Sequence, residues 1–111
     1  MKISNIVEEL DLEVRQDDFE DTECTGAYTS DLLSDVMANA HETDLLITIQ
    51  SHKNTIAVAT LVGASAVVVC NNRPVPEDMI EAAREERIAI LVTPRNQFTI
   101  SGMLYTLLQH Q

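Results

Sequence analysis

The stretch DLLITIQSHKNTIAVATLVGASAVVVC, residues 44–70, decides the fold. It opens on Leu45–Ile49, a short apolar run rich in β-branched residues, and closes on a second such run, Ala66–Cys70. Neither run alternates strictly between apolar and polar. A strand with apolar side chains on both faces belongs to a parallel sheet covered on both sides. Between the runs, Asn54–Val62 has helical length, and Gly63 follows it. Glycine takes the left-handed conformation that commonly closes a helix. The stretch therefore reads as strand, helix, strand.

Outward from this unit the pattern continues. Pro76–Arg87 reads as a helix with proline at its start and Glu77 and Asp78 in its first turn, where the helix dipole favours acid. Ile88–Val92 is a third apolar run. Thr93-Pro94 breaks the chain, and Gln97–Leu108 reads as a final amphipathic helix carrying Phe98, Met103, Leu104, Leu107 and Leu108. Upstream, Gly26–Thr29 leads to Ser30, read as the N-cap of a helix with the apolar stripe Leu32, Leu33, Val36, Met37 and Ala40. Ile3, Ile6, Val7 and Leu10 have helical spacing, and Leu12–Val14 alternates like a brief strand. The expected class is α/β: a mainly parallel sheet with helices on both faces and right-handed crossovers. Residues 1–111 are expected to form one domain, with residues 15–25 an acidic loop.

Composition narrows the functions. The chain has 111 residues, 45% hydrophobic but only 4% aromatic, and a net charge of −11. Phosphate backbones attract basic surfaces, and base stacking needs exposed rings, so nucleic acid is not an expected partner. The acid is concentrated early: residues 1–24 hold nine Asp and Glu against Lys2 and Arg15. The run Asp17–Glu23 is read as a solvated loop or as a docking surface for a basic partner; it lacks the ligand spacing of a calcium loop. Cys24 and Cys70 form no CxxC pair and are expected to be reduced thiols. Lys2, Asn5, Glu8 and Glu9 are unlike a signal peptide, and no apolar run is long enough for a membrane span. A cytoplasmic location is expected.

In parallel α/β sheets, ligands gather beyond the carboxyl ends of the strands. Those ends are the loops 50–54, 71–73 and 93–95, which are expected to share one edge. The candidate ligand residues are Ser51, His52, Lys53, Asn54, Asn71, Asn72, Arg73, Thr93 and Arg95. A strand-to-helix junction at His52–Asn54 suits an anion, and paired arginines suit phosphate. The bland alternatives are helix capping, solvated loop arginines and a structural Thr93-Pro94 turn. A second polar group, Tyr28, Thr29, Ser30, Asp31, Ser34 and Asp35, reads as a ligand or dimer contact, or as a cap with a solvated helix face. His41 and His110 have no partner at metal-ligand spacing, so no metal or cofactor is expected. Neither GxxxxGK[ST] nor GxGxxG occurs, and no GxSxG marks a nucleophile.

The stretches GAYTSDLLSDVMANA (26–40), residues 44–70 and RPVPEDMIEAAREERIAILVTP (73–94) together resemble the DRTGG domain family. They also resemble the N-terminal domain of HPr kinase/phosphorylase, which is similar in fold to the N-terminal domains of Mur ligases. The Asp-Arg-Thr-Gly-Gly residues that name the family have no counterpart here: Ser51-His52-Lys53-Asn54 and Asn71-Asn72-Arg73 stand in the loops. The resemblance implies a stand-alone regulatory domain without the kinase's P-loop domain, a homodimer and no catalysis. It also implies a small anionic metabolite or nucleotide as ligand, and a larger redox or hydrogenase enzyme or a signalling protein as partner. The competing expectation is a pure interaction adaptor that docks through its acidic segment.

Overall fold

Leu45, Leu46 and Ile47 are all buried, but they face opposite ways. In the computed structural model, which describes all 111 residues, they lie on strand β3 (Asp44–Thr48). Successive side chains on a strand point to opposite faces. Leu45 and Ile47 therefore enter one core, and Leu46 enters the other. The same parity runs through β4 (Ala66–Val69), where Ala66 and Val68 oppose Val67 and Val69, and through β5 (Ala89–Val92), where Ala89 and Leu91 oppose Ile90 and Val92.

The sheet has five strands in the order β1-β5-β4-β3-β2. β2 (Gly26–Thr29), β3, β4 and β5 are parallel, and β1 (Glu13–Gln16) runs antiparallel along β5. Helices α2 (Leu33–Asn39), α3 (Lys53–Val62) and α4 (Glu77–Glu86) make the crossovers. All three contribute to one core through Val36, Ile56, Ala59, Met79 and Ala83. Crossovers of one hand along a sheet that grows in one direction require a shared face. Helices α1 (Ile3–Leu10) and α5 (Gln97–Gln109) cover the other face with Ile3, Ile6, Leu10, Ile100 and Leu104.

Several boundaries depart from the sequence reading. Gly26–Thr29 is a strand, so four strands are parallel rather than three. It lies at the sheet edge with Ala27 and Thr29 exposed, so no apolar run marks it. Ser30 does not cap α2: Leu32 stands at the N-cap with no side-chain bond, and the Ser30 hydroxyl accepts the Leu32 N–H at 3.2 Å within the loop. Asp31 consequently lies in the β2–α2 loop rather than in a helical turn. Of the predicted stripe only Val36 is fully buried; Leu32 and Met37 are exposed. Gly63 does close α3, at φ 73°.

The acidic segment is held down. Asp21 accepts the Ser4 N–H at 2.9 Å and the Ser4 hydroxyl at 2.6 Å. It thereby caps α1, whose own N-cap residue, Lys2, offers no side-chain acceptor. These bonds hold the Asp21 carboxyl below its usual range. The backbones of Lys2 and Glu23 form an isolated antiparallel bridge, the Glu23 carboxylate accepts from the Met1 amino group at 2.7 Å, and Asp18 pairs with Arg87 at 3.5 Å.

Candidate functional site

Asp31 lies just beyond the carboxyl end of β2 and is bonded to the end of β3. Its Oδ1 accepts the Thr48 hydroxyl at 3.0 Å and the Ile49 N–H at 2.9 Å. Its Oδ2 accepts the Gln97 amide at 3.2 Å. One carboxylate thus joins the β2–α2 loop, the end of β3 and the first residue of α5. The amide orientation of Gln97 follows from the acceptor it meets, and it leaves the Gln97 Oε1 buried with no partner. The Cys70 thiol lies at the end of β4 and is fully buried. Burial, with the Asp31 charge added, pushes it up to about 11. A thiol in that state is protonated at neutral pH and is a poor nucleophile.

The three predicted loops do share this edge. The Asn71 N–H donates to the Arg95 carbonyl and the Asn72 N–H to the Thr93 carbonyl, both at 2.9 Å. The Ser51 hydroxyl reaches the Pro74 carbonyl, tying the β3 loop to the β4 loop. Asn71 and Asn72 have φ of 63° and 53°, and the Arg73 N–H returns to the Cys70 carbonyl. This is a tight turn with two left-handed residues, which explains asparagine at both places.

The loops use their polar groups unequally. His52 is the N-cap of α3, its Nδ1 accepting the Asn54 N–H at 3.0 Å. Thr93 is buried, and its hydroxyl accepts the Arg95 N–H. The Arg95 guanidinium turns to the carbonyl of Leu10 at 3.0 Å, at the C-terminal end of α1. Lys53 and Arg73 are exposed and form no ion pair. They are two free cations on the edge of a chain with net charge −11. The side chains of Asn54, Asn71 and Asn72 are likewise exposed.

The second polar group divides. The Tyr28 hydroxyl donates to Asp35 at 2.8 Å, and Asp35 also accepts from Asn39. This network fastens β2 to α2. It raises the Tyr28 hydroxyl and lowers the Asp35 carboxyl relative to their usual ranges, each chiefly through their shared bond. Thr29 bonds Ser101 on α5 at 2.7 Å, and Ser34 is exposed on α2. Of this group only Asp31 belongs to the strand-end cluster. Sequence reasoning missed Thr48 and Gln97 as its partners. Gln97 lies 66 residues from Asp31, and no local pattern signals the pair.

None of the four surface cavities opens between these three loops. Lys53 and Asn54 instead border a groove of about 420 Å³ between α3 and α4. No helix is long and apolar enough to cross a membrane.

Fold and site together define an α/β domain with a mainly parallel sheet and a polar strand-end edge beside a buried thiol. The model of the DRTGG domain family matches residues 5–107, and the chain belongs to that family. Its fold is similar to the crystal structure of the CBS and DRTGG domains of the regulatory region of a Clostridium perfringens pyrophosphatase, complexed with the activator diadenosine tetraphosphate. The TM-score is 0.72 at 18% identity, over 92% of this chain and 45% of that one. The present chain thus spans less than half the length of that regulatory region. No curated protein matches.

Proposed function

We propose that this chain is a non-catalytic, cytoplasmic regulatory module, that residues 1–111 fold as one unit, and that it works as a homodimer. Its strand-end edge takes a small anionic metabolite or nucleotide. The observation that carries this reading is the pair of unpaired cations, Lys53 and Arg73, beside the amino end of α3 and the Asn71-Asn72 turn. Cationic side chains and helix amino ends both favour phosphate. The related regulatory region, crystallised with a dinucleotide activator, makes nucleotides the first class to test. The ligand state would then be passed to a larger partner, for which a redox or hydrogenase enzyme, or a signalling protein, is the proposal.

Calorimetry against nucleotides, diadenosine tetraphosphate among them, and phosphorylated metabolites tests the ligand. At least one should bind, and the double variant Lys53→Ala/Arg73→Ala should weaken it about tenfold or more, the loss of two charge-assisted contacts. Absence of binding across the panel would overturn the ligand reading. The adaptor reading, in which residues 15–24 dock a basic partner, has less support. Asp18, Asp21 and Glu23 already have partners within the chain. A pull-down that loses its partner when Asp17 and Glu20, both exposed, become Asn and Gln would favour it.

A further inference from the structure

Helix α5 has no charged residue in its 13 positions. In a chain that is 23% charged, its outer face is nevertheless exposed at Phe98, Thr99, Gly102, Tyr105 and Thr106. Phe98 is 87% exposed and Tyr105 68%. Beside Phe98 runs a groove of about 550 Å³ between α1 and α5, bordered by Glu9 and Leu10 on α1 and by Gly102, Met103, Thr106 and Leu107 on α5. A Cβ built on Gly102 meets nothing within 4 Å. The glycine is therefore not required by the packing of its own chain, although it weakens a helix interior. Its lack of a side chain deepens the open groove.

We infer that this face is the contact surface for a second copy of the chain, packed antiparallel with α5 crossing α5 at Gly102. This rests on the homodimer reading above and locates it. Two observations choose a second copy as the occupant. The first is charge: two copies of net charge −11 repel, and α5 brings no charge of its own to the contact, Glu9 on the α1 wall being the one charged residue bordering the groove. The second is self-complementarity. Phe98 and Thr106 lie four residues before and four after Gly102 on one ridge. A two-fold axis at Gly102 sets each Phe98 ring over the other copy's Thr106, at the groove bordered by Met103 and Leu107. Interdigitated ridges of this spacing cross at about −50°, closest at the centre and wider toward the ends. Glycine at the centre and phenylalanine away from it match that shape. The helix is about 20 Å long, and one such face falls short of the roughly 800 Å² per partner of a standard stable interface. The dimer is accordingly concentration-dependent.

Sedimentation equilibrium of the full chain should show a reversible monomer–dimer equilibrium. Gly102→Arg and Phe98→Asp should each raise the dimer Kd about tenfold or more, as truncation or charging of a central contact does. Both sites are open in the monomer, so circular dichroism should be unchanged. Gly102→Cys should give a covalent dimer on mild oxidation, because a helix crossing at glycine brings the two Cα atoms within disulfide reach. Leu61→Cys, 72% exposed on α3, should not. Cys24 and Cys70 are fully buried and do not compete. A dimer indifferent to both surface variants, with no cross-link at position 102, would overturn this interface and leave the homodimer standing. A monomer at every concentration would overturn both.

Discussion

Asp31 is the side chain on which the strand-end edge turns. Removing it strands the Gln97 amide, the Thr48 hydroxyl and the Ile49 N–H together. Hydrogen bonds to a charged acceptor are the strong ones, and a buried donor left without a partner costs its full desolvation. Asp31→Ala should therefore lower stability by about 2–3 kcal/mol in urea unfolding. The same measurement on Gly63→Ala should give a loss of about 1–2 kcal/mol. Gly63 sits at φ 73°, and an added Cβ would lie 2.9 Å from the Glu42 Cγ. Both residues were singled out in the sequence, but for different reasons. Gly63 is legible because a helix end has a local chemical signature. Asp31 stood only as one polar residue in a row, since its partners come from β3 and α5.

The pairing of β2 with α2 rests on Tyr28, Asp35 and Asn39, and it is sensitive to pH on both sides. The Asp35 carboxyl is lowered in the folded state. Its contribution is therefore present above the unfolded carboxyl range and lost as pH falls through the folded value. The Tyr28 hydroxyl is raised, so its contribution is present below the unfolded phenol range and lost as pH rises through the folded value. Between the two the bond is intact. Tyr28→Phe should flatten both limbs of the stability–pH curve and change its neutral plateau little, because the bond is near the surface. An unchanged curve would show that the bond contributes nothing. This element was also the hardest to read from sequence. An edge strand buries few side chains, and Gly26–Thr29 looks like an approach to a helix until its pairing with β3 is seen.

Across the whole molecule, charge dominates the solution behaviour. A net charge of −11 on a chain with a 12.2 Å radius of gyration repels itself. Salt screens such repulsion within about 8–10 Å at near-physiological ionic strength. Thermal unfolding should therefore shift upward as sodium chloride is raised from low levels toward 0.2 M. The same salt should favour the dimer, while weakening any anion bound at Lys53 and Arg73. Opposite salt trends for self-association and for ligand binding would separate the two surfaces in one set of measurements.

The succession β3–α3–β4–α4–β5 is readable from the sequence because strands buried on both faces are apolar on both faces, and Gly63 and Pro76 punctuate the helices between them. The placing of loops 50–54, 71–73 and 93–95 on one edge followed from that succession, since parallel strands end together. Tertiary structure decided what each loop residue does. It turned Arg95 to the end of α1, used His52 as a cap, and left Lys53 and Arg73 free. It also gave Asp18, Asp21 and Glu23 partners within the chain, where composition offered a solvated loop or a docking surface. The physical reason is range. Burial and local backbone preference act on neighbours in the chain and leave a pattern there, whereas a side chain's partner is chosen in space, often from a residue dozens of positions away.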